Sequence, residues 1–368
     1  MNLFVPGPLQ EELNRFDDFL EASLRPQQRD WEKRNRVPRR FFETLAEAGW
    51  LGASWDGARL VPRSALRETL LLERMAARSP GIAATFLIVS SLGLTGLARY
   101  GGPSLTTALG ADAAAGSCLI CLGNTENIAG SDAAGIAMTA DKVADGWLLN
   151  GTKAYVTNGL ISDYGVVTAV TDPEENRSKR LSMFLVNLRG KGVARRRLNK
   201  RVWIPSDLTR IEFKDVAVPS NHLMGERGRG LQQLLSLFTH SRVAISGLAL
   251  GNARGAFEMA LNRLERRRVF GRPLSDCQAK AFEAAHHRAR LEAAKLAVLC
   301  AAHTLDKGGD YRLEASCAKY LAVEAAQSIS LWAADLFGAA SVMESHPIYS
   351  FPLDAWGVSL AEGTQDVQ

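Results

Sequence analysis

Four short segments of the 368-residue chain carry side chains able to bind a charged ligand or move a proton. Thr125-Glu126-Asn127-Ile128-Ala129-Gly130-Ser131-Asp132 combines hydroxyls, carboxylates and glycine, which suits a tight polar turn. Asn150-Gly151-Thr152-Lys153, followed by Tyr155-Val156-Thr157-Asn158-Gly159, puts an aromatic and a hydroxyl into a strand-like run. Arg266-Arg267-Arg268 precedes Phe270-Gly271, and a guanidinium fork pairs bidentately with phosphate oxygens without ever deprotonating. Ala361-Glu362-Gly363-Thr364 offers a single carboxylate, a general base if desolvation lifts its pKa toward the working pH. Each segment also has a plain structural reading by residue type. They are a surface turn, a hairpin with an aromatic packed inside, a solvated helix end and a loop carboxylate.

Metal chemistry finds no support. Five cysteines without regular spacing do not describe a disulfide framework. Cys118-x-x-Cys121 lies in an apolar, strand-like run, where a spacing of three points the thiols to opposite faces. His286 and His287 are adjacent, so a helix splays them apart. No P-loop ending and no GxGxxG between a strand and a helix is present.

The four segments together resemble the acyl-CoA dehydrogenase family of flavoenzymes. The octapeptide is similar to that family's T-E-P-G-A-G-S-D loop. Asn150 to Gly159 is similar to N-G-x-K-x-W-I-T-N-G, Arg267 to Gln278 to R-x-x-F-G-K-P-x-x-x-x-Q, and Glu362-Gly363-Thr364 to the end of Y-E-G-T. The resemblance implies FAD as cofactor. Leu122, Asn124 and Thr125 would lie along the flavin, Tyr155 would cover one ring face in place of the commoner Trp, and Thr157 would bond near N5. Arg267, Phe270, Gln278, Asp335 and Gly338 would serve the pyrophosphate and adenosine half of a neighbouring subunit's FAD, with Thr364 and Asp366 as further cofactor contacts. Ser131, Phe238, Arg242 and Gly363 would meet the substrate, an acyl-CoA or an acyl-carrier protein. Glu362 would take the α-proton of the acyl thioester while the β-hydrogen leaves as hydride. Some branches of the family place the base beside the Arg of the first long C-terminal helix. The matching dipeptide here is Ser241-Arg242, which leaves the role to Glu362. The implied partners are an electron-transfer partner or oxygen as acceptor, and identical subunits in a homodimer or homotetramer.

The pattern also departs from the family. Asn127-Ile128 replaces Pro-Gly, Thr239 stands in place of an Asp, Leu353 in place of an Arg, and Asp335-x-x-Gly338-Ala339-Ala340-Ser341 in place of Q-x-x-G-G-x-G. An Asp near a pyrophosphate repels it unless the carboxylate turns to a ribose hydroxyl. These departures suggest a specialised branch acting on a carrier-tethered acyl group. Flavin-dependent monooxygenases and oxidases share the fold but typically lack a Glu at the position of Glu362. A non-catalytic binding protein that has lost FAD is the third reading, kept open by the altered Asp335 region.

The elements that must position these residues follow from periodicity. Leu9, Leu13, Phe16 and Leu20, then Phe41, Phe42 and Leu45 between Pro38 and Gly49, predict a helical N-terminal region over residues 1–115. Residues 116–225 change to short β-branched and aromatic runs, Ile136–Val143, Trp147–Asn150, Tyr164–Val170, Leu181–Leu188 and Thr209–Val216, with Asp145-Gly146 as a hairpin turn. Residues 226–368 return to helices, Leu231–Arg266, Leu274–Leu305 and Tyr311–Phe337, which Gly271-Arg272-Pro273 and Lys307-Gly308-Gly309 interrupt. The expected class is α+β. A helical domain precedes a middle domain of antiparallel strands and a C-terminal four-helix bundle.

Composition bounds the rest. With 46% hydrophobic and 23% charged residues the chain is an ordinary globular one, long enough for two or three subdomains. A net charge of +5 allows anionic partners. The basic run from Arg195 to Arg201 lacks interleaved aromatics, which argues for a solvated surface and against nucleic-acid binding. Gly81 to Ala98 carries no charge, yet its Ser, Thr and Gly content fits a buried core helix better than a membrane span. No secretory signal pattern is visible, and a cytoplasmic location is the expectation.

Overall fold

The computed structural model describes residues 5–368 of the chain. The N-terminal helices are α1 (Gly7–Phe19), α2 (Arg25–Arg34), α3 (Arg40–Glu47), α4 (Ala65–Ala76), α5 (Pro80–Leu87), α6 (Thr95–Tyr100) and α7 (Gly102–Ala114), with a short hairpin of β1 (Ala53–Trp55) and β2 (Leu60–Pro62). The uncharged run is interior: α5 and α6 are joined by a π-helical stretch, Ile88–Leu94, and 89% of the apolar window is buried inside the protein. Gly93 in that stretch permits contact with the sheet, since a Cβ there would stand 2.3 Å from the Ile120 carbonyl oxygen.

The middle region is one sheet built from β3 (Ile120–Gly123), β4 (Thr139–Val143), β5 (Gly146–Thr157), β6 (Tyr164–Val170), β7 (Leu181–Asn187), β8 (Val193–Arg197), β9 (Leu208–Pro219) and β10 (Leu223–Met224). Most neighbours are antiparallel, but β3 runs parallel to β6, and Thr139 of β4 pairs parallel with Val170. The expectation of an antiparallel sheet is corrected to a mixed one. The chain between β3 and β6 is long enough, with its loop and the β4–β5 hairpin, to act as the crossover that a parallel pair requires. The hairpin turn sits on Ala144-Asp145, because Gly146 already pairs with Val143. Cys118 packs into the large helical core and Cys121 into the smaller core of the sheet, on opposite sides of the strand.

The basic run is also corrected. Arg195, Arg196 and Arg197 are the end of β8, and its two-residue period turns Arg195 and Arg197 the same way. Arg195 donates to the carbonyls of Gly159, Leu160 and Ser162, and Arg197 to that of Asn35 at 2.7 Å. Lys200 binds the Val202 carbonyl at 2.7 Å and that of Trp203. These cations staple the turn after β5, the end of α2 and the segment after β8; Arg196 and Arg201 remain exposed.

The C-terminal helices are α8 (Gly230–Arg266), α9 (Gln278–Asp306), α10 (Arg312–Phe337) and the short α11 (Ser350–Leu360). Between α8 and α9 the chain forms a tight hairpin, β11 (Arg268–Val269) with β12 (Arg272–Pro273), and one 3₁₀ turn. A row of glycines, Gly247, Gly251 and Gly255, lets α8 lie against α4. A Cβ at each would come within 2.2–2.3 Å of the carbonyl oxygens of Thr69, Glu73 and Ala77. The close approach fixes α8, on which one half of the site is built.

Candidate active site

The two central motifs lock together through a buried ion pair. Lys153 of β5 has no exposed surface, and its ammonium donates to Glu126 at 2.8 Å and to the Asn124 carbonyl at 2.9 Å. Glu126 accepts in turn from the backbone N–H groups of Ala137 and Met138, at 2.8 and 3.0 Å. Burial alone would raise the Glu126 carboxyl, but Lys153 and the two N–H donors outweigh it and hold the group below its usual value. Burial pushes Lys153 down to about 8. The Ala154 N–H donates to the Thr125 carbonyl at 2.8 Å, and Thr168 to the Asn124 side chain at 2.5 Å. Leu122 packs on the helical core. The loop carrying Leu122, Asn124 and Thr125 is thus fixed against β5.

The same strand turns its aromatic outward. The pairing of β5 with β9 shifts register between Lys153 and Val156, and Tyr155 within that bulge has φ +57°. A bulge re-aims the side chain that an unbroken strand would bury, and Tyr155 is left 59% exposed beside the rigid loop. Thr157 follows on β5, half-buried. Strained, outward-facing residues on a braced scaffold are a feature of ligand sites, and a flat ring system fits the platform. Ser131 is exposed at the far end of the loop, next to the Asp132–Arg177 ion pair.

A second cluster forms where the loop after α11 meets α8 and α10. The Ser241 hydroxyl donates to a Glu362 carboxyl oxygen at 2.5 Å, and Arg242 Nε donates to the Glu362 carbonyl at 3.2 Å. Lys319 of α10, fully buried, donates to the Ala361 carbonyl at 2.5 Å and to that of Gly363. Burial pushes the Glu362 carboxyl up, against the opposing pull of Ser241, Lys319 and Arg242. Burial pushes Lys319 down to about 8 and lowers Arg242. Phe238 lies one turn back on α8, half-buried against the helical core, and Gly363 and Thr364 follow Glu362 in the same loop. Asp366 is exposed, in the 3₁₀ turn Gln365–Val367.

The remaining candidates lie elsewhere. Arg267 caps the C-terminal end of α8, and along a helix rising 1.5 Å per residue it stands about 37 Å from Arg242. Phe270 and Gly271 form the two-residue turn of the β11–β12 hairpin, with φ values of +50° and +83°, and the Phe270 ring is wholly exposed. Gln278 opens α9, while Asp335 and Gly338 sit at the end of α10, where Arg263 donates to the Leu336 carbonyl at 3.3 Å. One end of the bundle therefore gathers Arg267, Phe270, Asp335 and Gly338, all exposed, far from Glu362.

Sequence reasoning passed over Glu126, Lys153 and Lys319. The first two stand inside the motifs, and the available signal was Lys153, the one charge in the strand-like run from Gly146 to Thr157. Lys319 falls at helical spacing from the buried Ala315, Ala322 and Ala326, which marks it as an inward-facing cation.

Comparison with known proteins identifies the family. Residues 10–117, 121–216 and 228–368 match the models of the N-terminal, middle and C-terminal domains of acyl-CoA dehydrogenase. A probable acyl-CoA dehydrogenase of Mycobacterium leprae is 30% identical over 95% of this chain and 90% of its own length. The butyryl-CoA dehydrogenase of Megasphaera elsdenii superposes with a TM-score of 0.92 at 27% identity, over 99% of this chain and 96% of that one. A chain solved in work on the electron transferring flavoprotein of Acidaminococcus fermentans gives 0.94, at 27% identity, over 99% and 96%. The chain belongs to the acyl-CoA dehydrogenase family, FAD-dependent oxidoreductases that act on CH–CH bonds.

Proposed function

We propose that the protein dehydrogenates an acyl-CoA thioester between its α and β carbons, with Glu362 as the base that removes the α-proton. The observation that carries this reading is the Glu362 carboxyl, drawn onto Ser241 in a pocket whose burial raises its proton affinity. FAD, when bound, supplies the acceptor for the β-hydride. Leu122, Asn124, Thr125, Tyr155 and Thr157 would hold its ring, where the exposed aromatic and the braced loop offer a stacking face and polar contacts. Ser131, Phe238, Arg242 and the Gly363 backbone would orient the thioester and keep the reacting carbons near the carboxyl.

Arg267, Phe270, Gln278, Asp335 and Gly338 are too far from Glu362 to serve the same cofactor molecule. They would complete the site of a second copy, which makes the active unit a homodimer or a dimer of dimers. Exposed apolar side chains on the bundle, Phe282, Leu296, Leu313, Leu321, Leu331 and Trp356, favour association of this kind. An electron-transferring flavoprotein is the proposed acceptor of the electrons.

The test is anaerobic mixing of the purified yellow protein with short-, medium- and long-chain acyl-CoA. Bleaching of the flavin absorbance by at least one of them is expected. A protein that never bleaches, but consumes oxygen with another substrate once its flavin is reduced, would be a monooxygenase on this fold.

A further inference from the structure

The loop that presents Glu362 is held by two cations from neighbouring helices as well as by Gln368, whose side-chain amide donates to the Glu362, Gly363 and Thr364 carbonyls at 3.4, 3.2 and 3.5 Å. Ala361, Glu362 and Gly363 are consecutive, and all three carbonyls accept hydrogen bonds from charged side chains: the first and third from Lys319 on α10, the middle one from Arg242 on α8. Glu362 itself has φ +56°, a left-handed backbone that a residue with a Cβ avoids unless its surroundings enforce it. Lys319 is the fully buried member of the pair of cations. A lysine desolvated on a helix face otherwise lined by alanine and valine costs folding energy, and such groups are retained where they hold something in place.

We propose that Lys319 is the positioning residue of the proton-abstracting step: its ammonium clasps the carbonyls on either side of Glu362, enforces the left-handed turn that aims the carboxylate at the substrate pocket, and biases that carboxylate toward its ionised form. The inference rests on the reading of Glu362 as the base. Lys319 touches the carbonyls of the two residues that flank the base and carries no proton to or from the substrate. The charged groups facing Glu362 are Lys319 from α10 and Arg242 from α8, with the neutral Ser241 hydroxyl beside them. Both cations oppose the effect of burial. Arg242 is assigned to the substrate above, whereas Lys319 donates to the Ala361 and Gly363 carbonyls and can be altered without removing a proposed substrate contact.

Three substitutions separate clasp from charge. Lys319→Met removes both, Lys319→Gln keeps a donor without charge, and Lys319→Arg keeps the charge. The measurements are flavin content, the pH profile of anaerobic flavin reduction by the best acyl-CoA, and exchange of the α-hydrogen of a 3-thia-acyl-CoA with D2O, followed by NMR. The sulfur leaves that probe no β-hydride to lose, so exchange reads proton abstraction without redox chemistry. Lys319→Met should retain flavin and exchange at least tenfold more slowly at neutral pH. Its acid limb should lie about one pH unit or more higher than in wild type, equivalent to a tenfold shift in the base's ionisation. Lys319→Arg should bring the limb back, and Lys319→Gln should keep the raised limb. If Lys319→Met does not fold, Lys319→Gln carries the test. A wild-type limb in whichever uncharged variant folds, or a loss of rate that only follows lost flavin, overturns the inference. Glu362→Gln is measured alongside. If it exchanges at the wild-type rate, the base reading itself fails; if it is inert while Lys319→Met matches wild type in rate and limb, only the role of Lys319 fails.

Discussion

The corner around Glu362 and the far end of the bundle around Phe270 are built on the same helix, α8, by opposite means. At the corner the polar groups around the carboxylate are paired: Ser241, Arg242 and Lys319 occupy the carboxyl and three carbonyls of one loop. At the far end Arg267, Phe270 and Asp335 stand in solvent, and Phe270 is completely exposed on a two-residue turn. A closed cluster can tune a proton affinity within one chain. An open set of an arginine, an aromatic and a glycine-ended helix has work to do only when another molecule covers it. The difference teaches that the corner is closed within one chain, whereas the far end is open, which is what the proposed sharing of a cofactor site with a second copy requires.

Substitutions at the two ends should therefore fail differently. Glu362→Gln is nearly isosteric and should keep flavin and fold, yet slow anaerobic flavin reduction ~10²–10⁴-fold, the range for loss of a positioned general base. Bleaching as fast as wild type would move the base elsewhere. Next comes Lys153→Met, which strands Glu126 without its cation; breaking a buried ion pair from one side costs about 3–5 kcal/mol, visible as a lower denaturation midpoint. Because Glu126 is held below the usual carboxylate pKa, the pair's contribution should be present above pH ~4.5 and fade as pH falls through the depressed value. A midpoint gap between wild type and Lys153→Met that stays constant as the pH is lowered would contradict the pairing.

At the far end the chemistry should survive while the cofactor leaves. Arg267→Ala loses a charged hydrogen-bonding group, on the order of 1.5–3 kcal/mol, and FAD should bind about 10–100-fold more weakly. Saturating FAD should restore the rate. If Arg267→Ala instead leaves FAD affinity unchanged, the far end serves no cofactor and the comparison collapses. The smallest effect is expected from Asp335→Gln. Removing one negative charge near a pyrophosphate is worth about 1 kcal/mol in a wet site, so FAD should bind roughly fivefold more tightly by equilibrium titration. Weaker binding would show instead that the Asp335 carboxylate accepts a bond from the cofactor.

Much was legible in the order of residues because the signals are local. The helix periods from Leu9 to Leu45, the short apolar strand runs Tyr164–Val170 and Leu181–Leu188 and the breaks around Gly271 and Gly308 need only neighbours along the chain to declare themselves, and so does the spacing of the four motifs. The parallel pairing of β3, the arginine staples of β8 and the hairpin at Phe270 depend on partners distant in sequence or on two-residue strands, and periodicity does not register them. The sequence by itself determined which side chains are available: a carboxylate before glycine, an aromatic two residues from a threonine, an arginine before Phe-Gly. Only the tertiary structure decided that Tyr155 faces outward from a bulge, that Lys319 and Arg242 grip the loop of Glu362, and that Arg267 stands a whole helix away from it. Burial and charge pairing fix proton affinity and conformation, and both are properties of what folding brings together.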